Sequence, residues 1–134
     1  MRTVKIASAA AAFAFATALP TTSSPASEEL PLPGGLSSLT LSLSVAGGPA
    51  RTVSIRCDQE YGEHPALPTA CEMIRKVGGD LARLTYDIDM ICEEGYLPHT
   101  VRAQGTWEGR PVRFAKTYDN RCEMTALTGP VFSF

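Results

Sequence analysis

The chain has 134 residues, 44% hydrophobic but only 7% aromatic, with 11 glycines and 10 prolines. That composition fits one loop-rich domain with a modest core. The net charge is −2 and there is no basic run, which removes the electrostatic basis for binding nucleic acid or an anionic membrane surface.

The N-terminus reads MRTVKIASAAAAFAFATALP. Arg2 and Lys5 precede an apolar run from Ile6 to Ala18, and Ala16-Thr17-Ala18 is a small-x-small cleavage signal. This is the layout of a secretory signal peptide, residues 1–18, with an alternative end near 26 at Ser24-Pro25-Ala26. The run is about 13 residues, too short for a membrane span of about 20. Residues 19–37 are rich in Pro, Ser, Thr and Glu and are expected to form a flexible leader to a domain at 38–134. The expected destination is extracellular.

In SLTLSLSV (38–45), Leu39, Leu41, Leu43 and Val45 share one face, which predicts a half-buried strand. Gly47-Gly48-Pro49 turns the chain, and RTVSIRC (51–57) alternates again, so the pair reads as a hairpin. DQEYGEHPALPT is expected to be a loop. In TACEMIRKVGGD (69–80), Thr69 as N-cap and Glu72 three residues later form a capping box. Ala70, Met73, Ile74 and Val77 follow at helical spacing. Gly78 and Gly79 stop that helix, and Asp80 caps one further short turn.

After the loop around DMICEEGYLP (89–98), HTVRAQGTW and RPVRFAKTY flank Glu108-Gly109 as a second hairpin. The last residues, VFSF, read as a closing strand. The order predicts an α+β fold, an antiparallel sheet of about five strands with one main and one short helix. One helix covers only one face of such a sheet, which predicts a homodimer through the other face.

The four cysteines, Cys57, Cys71, Cys92 and Cys122, imply two disulfides in an exported chain, with three possible pairings. Joining neighbours in sequence is the simplest, each bridge contributing about 3–4 kcal/mol in the chain-entropy model. A zinc site from Cys57, His64, Cys71 and His99 lacks the close ligand pair that structural zinc usually has. No metal or cofactor is expected.

Catalysis has little to work with. Neither histidine lies in a catalytic motif, and there is no Gly-x-Ser-x-Gly turn or glycine-rich phosphate loop. Glu93 and Glu94 are adjacent, and in an extended loop their side chains point to opposite sides, so they cannot readily flank one substrate bond. An enzyme is therefore not expected. The loop's cysteine at one end and Pro98 at the other would stiffen it, with apolar Tyr96 and Leu97 between. Such a loop suits capture in a protein cleft. It also fits an ordinary solvated loop, and the residues alone leave both readings open.

ACEMIRKVGGDLARL (70–84), MICEEGYLPHTV (90–101), GTWEGRPVRFAKTYDNRCEM (105–124) and GPVFSF (129–134) together resemble the Streptomyces subtilisin inhibitor family. The resemblance implies a secreted, dimeric inhibitor of serine proteases that acts in a substrate-like manner. It implies the pairs Cys57–Cys71 and Cys92–Cys122. It places the reactive bond at Glu94–Gly95, with Ile91, Cys92, Glu93, Tyr96 and Leu97 as loop contacts and Pro98 and Asn120 as loop supports. Many members carry Met, Lys or Arg where Glu94 stands, and this departure leaves two readings: an inhibitor of a glutamate-preferring protease, the expected partners being subtilisin-like enzymes or a glutamyl endopeptidase, or a member that has lost strong inhibition. The other function class is a non-inhibitory exported binding domain of the same fold.

Overall fold

The computed structural model describes residues 35–134, with Ala12 and Ala14 as isolated further residues. Those two apart, the expected signal peptide and the leader up to residue 34 lie outside the described residues. Leu36 and Ser37, expected in the leader, are fastened to the domain. The Ser37 carbonyl accepts from Cys57 N at 2.8 Å, and the Leu36 carbonyl accepts from Gly109 N at 3.1 Å.

The sheet has five antiparallel strands in the order β3-β2-β1-β4-β5. They are β1 (Ser38–Val45), β2 (Arg51–Arg56), β3 (Tyr61–Gly62), β4 (His99–Trp107) and β5 (Arg110–Tyr118). Both hairpins form as their alternation dictates. The β4–β5 turn places Glu108 at φ 50° and Gly109 at φ 79°, the left-handed pair that matches strand twist in a tight hairpin.

Directly opposed residues share a face, and the register aligns Leu39 with Ile55, Leu41 with Val53 and Ala103, and Ala103 with Phe114. The apolar rows of both hairpins therefore lie on the same side. Strand residues of the opposite side are Ser38, Thr40, Ser42, Thr52, Ser54, Arg56, Thr100, Arg102, Gln104, Arg113 and their neighbours, and none is a carboxylate. This corrects the premise of an open apolar face. The second face is lined by hydroxyls and arginines.

Two helices, α1 (Leu67–Lys76) and α2 (Arg121–Thr128), join a C-terminal 3-10 turn (Gly129–Phe132) around the core. Leu39, Leu41, Ile55, Ile74, Val101, Met124, Val131 and Phe132 are fully buried there. Each such side chain stabilises the fold by about 1.5–3 kcal/mol through removal from water.

Three expectations need correction. Helix α1 starts two residues before Thr69, at Leu67, and Ala66 is its N-cap with no side-chain cap. Pro68 fits the first turn because the amide hydrogen it lacks has no intrahelical partner there. The entry is fixed instead by His64, whose Nδ1 accepts from Ala66 N at 2.9 Å while its Nε2 lies 2.9 Å from the Val131 carbonyl oxygen.

Second, VFSF is not a strand. Pro130 has no amide hydrogen to give a ladder, and Val131 and Phe132 are buried in the core within the 3-10 turn. The fifth strand is β3, in the segment read as a loop. Third, α2 was not expected. Its N-cap is Asn120, whose Oδ1 accepts from Glu123 N at 2.8 Å.

The glycine stop after α1 stands, with Gly78 at φ 60° and Gly79 at φ 83°. Asp80 caps the 3-10 turn Leu81–Arg83 by accepting from Ala82 N at 3.3 Å.

Candidate functional site: the anchored loop 85–98

Between the 3-10 turn after α1 and the start of β4 the chain has no regular structure. This segment would be free were it not tied from beneath at intervals. Asp87 N donates to the Ala126 carbonyl in α2 at 2.8 Å, and Met90 N donates to the Asp87 carbonyl at 3.2 Å. Cys92 is bonded to Cys122, in the first turn of α2, with their Cα atoms 5.6 Å apart. Asn120 Nδ2 donates to the Glu94 carbonyl oxygen at 3.1 Å. Leu97 N donates to the Asp119 carbonyl at 2.8 Å, and Ala46 N donates to the Pro98 carbonyl at 2.7 Å. His99, buried at the start of β4, turns its Nδ1 to the Leu97 carbonyl oxygen at 2.8 Å.

The side chains behave differently from the backbone. Ile91 is 83% exposed and Tyr96 76% exposed, and Tyr86, Ile88 and Leu97 are exposed as well. Glu93 and Glu94 are exposed without an ion-pair partner among the described residues. Gly95 has open space where a Cβ would stand. The arrangement is a main chain fastened at intervals and presenting exposed side chains.

Every expected loop residue from Ile91 to Pro98 lies in this one segment, and Asn120 supports it from below. The disulfides pair as Cys57–Cys71 and Cys92–Cys122. The first consumes both sulfurs of the zinc alternative, and no metal-holding cluster occurs among the described residues. His64 meets the backbone of Ala66 and Val131, and His99 that of Leu97.

The sequence reading missed what supports the support. The Glu123 carboxylate accepts from Asp119 N at 2.7 Å, so Glu123 and Asn120 fix the turn whose carbonyl holds Leu97. The signal was present as Asn-x-x-Glu at 120–123, a capping-box spacing. Just before this turn, Tyr118 is buried. Burial, and then the nearby Glu123 carboxylate, push its hydroxyl above the ordinary tyrosine value.

Among the described residues no helix is long and apolar enough to cross a membrane. The family model described as subtilisin inhibitor-like matches residues 36–120. Subtilisin inhibitor-like protein 1 of Streptomyces cacaoi is 41% identical over 93 residues, covering 66% of this chain and 84% of that protein. The subtilisin inhibitor of Streptomyces albogriseolus is 36% identical over 92 residues, covering 68% of this chain and 64% of that protein. Among solved structures, Streptomyces caespitosus sermetstatin, in complex with Bacillus licheniformis subtilisin, superposes with a TM-score of 0.58 at 30% identity. That match covers 75% of this chain and all of the sermetstatin chain. The extent of these matches and the shared fold lead to one conclusion: the chain belongs to the subtilisin inhibitor-like family.

Proposed function

We propose that this protein is an exported, substrate-like inhibitor of serine endopeptidases that presents Glu94–Gly95 as its reactive bond. The observation that carries the reading is the contrast within one segment: a main chain tied at Asp87, Cys92, Glu94, Leu97 and Pro98 under freely exposed side chains. A protease binds an extended peptide, and a loop already held in one shape has paid the ordering cost of binding.

The same ties explain why cleavage would be slow and reversible. If the bond between Glu94 and Gly95 opens, Cys92 stays bonded to Cys122 and Leu97 stays on Asp119. The new amine then remains beside the acyl group, and religation competes with water at high effective concentration. The hydrogen bond from Asn120 uses one lone pair of the Glu94 carbonyl oxygen, and the other is left for the enzyme's oxyanion donors.

Ile91 would fill an apolar subsite three residues upstream, with Tyr96 and Leu97 on the leaving-group side. Glu94 favours a glutamate-preferring protease, because burying an unpaired carboxylate costs several kcal/mol and a trypsin-like pocket adds like-charge repulsion. A homodimer through the open sheet face belongs to the same reading. Here it would rest on polar contacts.

The test is an inhibition panel of subtilisin, trypsin, chymotrypsin and a glutamyl endopeptidase, run with the parent, Glu94→Lys and Glu94→Met. Lys should gain trypsin inhibition, Met should gain subtilisin inhibition, and both should lose action on the glutamyl enzyme. Unchanged inhibition constants would remove Glu94 from the reactive bond. Inactivity of the parent across the panel would support the non-inhibitory binding domain instead.

A further inference from the structure

Residues 35–134 contain twelve carboxylates and ten Lys or Arg side chains. Four of the carboxylates, Asp87, Asp89, Glu93 and Glu94, lie in the loop 85–98, which has no Lys or Arg at all. The rest of the described domain is therefore net positive by two. All four side chains are exposed, and none forms an ion pair among the described residues. Asp119 adds an exposed carboxylate beside the loop, while Arg121 and Glu123 at the start of α2 offset each other.

The placement of Asp87 and Asp89 is the informative part. They precede Glu94 by seven and five residues, so the specificity pocket does not need them. Their backbone is fixed by the bonds of Asp87 N to Ala126 and of Met90 N to Asp87. Neither carboxylate forms a hydrogen bond among the described residues. They are exposed, unpaired charges on a fastened backbone, in the loop that the inhibitor reading turns toward the enzyme.

We infer that this end is an electrostatic docking surface for a serine endopeptidase with a cationic active-site rim, Asp87 and Asp89 accelerating encounter more than they hold the bound enzyme. The inference rests on the inhibitor reading above. Exposed charge pairs add little to bound affinity. A concentrated charge of one sign raises association rates by about 10–10³-fold, and salt suppresses that gain. The net positive remainder of the domain would orient the inhibitor loop-first.

The experiment measures association and dissociation rates against two subtilisins, one of basic and one of acidic isoelectric point. Ionic strength runs from about 0.05 M to about 0.5 M, which shortens the screening length severalfold. The parent is compared with the double variant Asp87→Asn/Asp89→Asn. The control is Glu60→Gln/Glu108→Gln, which removes the same charge from turns at the other end of the sheet, where Ser38 pairs with Arg56 and Thr106.

With the basic enzyme, the parent should associate about tenfold faster at low salt than at high salt. The Asn variant should lose at least about threefold of the low-salt rate with its dissociation rate unchanged, and the control should match the parent. The acidic enzyme should show the opposite salt trend. Inhibition with salt-independent association, or an Asn variant indistinguishable from the control, would overturn this inference alone. No inhibition by the parent at any salt, of either subtilisin or of the other enzymes in the panel above, would overturn the inhibitor reading, and this inference with it.

Discussion

The amide of Asn120 joins two structures at once. Its Nδ2 donates to the Glu94 carbonyl oxygen at 3.1 Å while its Oδ1 accepts from Glu123 N at 2.8 Å as the N-cap of α2. The two roles can be separated chemically. In Asn120→Asp the side chain still accepts, so the cap survives, but it no longer donates to Glu94. Its stability should stay within about 1 kcal/mol of the parent, while inhibition weakens and cleavage of the loop accelerates. Asn120→Ala should lose both, with about 1 kcal/mol of stability gone with the cap. Thermal melts paired with inhibition constants distinguish the outcomes. Equal inhibition by the Asp variant and the parent would remove the brace.

The two disulfides should differ in what they protect. Cys57–Cys71 ties the end of β2 to α1, whereas Cys92–Cys122 ties the loop to α2. Each is worth about 3–4 kcal/mol by chain entropy. Paired Cys→Ser replacement at 92 and 122 should harm inhibition much more than replacement at 57 and 71, compared at temperatures of equal folded fraction. Equal harm would mean that the loop holds its shape without its bridge.

Gly95 is the one loop position with more backbone freedom than its setting uses. It is not in the left-handed region, and a Cβ there meets open space. Gly95→Ala should reduce the freedom of the unfolded and cleaved chains, a gain of about 0.4–1 kcal/mol. The inhibition constant should stay within about twofold of the parent, because the free folded protein already holds this segment in place. Weaker inhibition would indicate that the enzyme needs a bare backbone at that position.

Tyr118 sets an alkaline limit. Its hydroxyl titrates higher in the folded protein than the usual value of about 10. The unfolded chain therefore loses this proton first as pH rises. The stability contribution is whole below about pH 10 and drains away above it, through the folded value. Denaturant midpoints across that range should fall more steeply for the parent than for Tyr118→Phe. Parallel curves would show that another group controls the decline.

The open sheet face carries Arg102 and Arg113 and no strand carboxylate. Two copies meeting there bring like charges together, and salt screens that repulsion. Sedimentation equilibrium should show dimerisation strengthening as salt rises. Weakening with salt would place any dimer contact elsewhere.

The legible parts of the fold were those where one short-range pattern governs. Leu39, Leu41 and Leu43 alternate because one side of β1 is buried, and Gly109 of Glu108-Gly109 readily takes the left-handed backbone a tight hairpin requires. The start of α1 was misread because Thr69 offered a plausible local cap. The real determinant is His64, whose other ring nitrogen meets Val131, a contact 67 residues away that no local pattern displays. The C-terminus was misread for a similar reason: two apolar residues in VFSF fit a strand as well as a buried turn. The loop residues are assigned through the family motif, whereas their fastenings are mostly backbone carbonyls, which leave no mark on side-chain identity.

Those fastenings are unevenly distributed along the chain. Asp119, Asn120, Cys122 and Ala126 all follow the loop they hold, and only Ala46 precedes it. A ribosome makes the chain from its N-terminus, so the loop is complete well before its clamps are. Until α2 has formed and Cys122 has been oxidised, the stretch around Glu94 is an unbraced peptide, open to hydrolysis by the class of enzyme it would later block. On the inhibitor reading, the segment from Asp119 onward would thus turn a digestible loop into a resistant one, and the order of synthesis would leave an interval in which the chain lacks that protection.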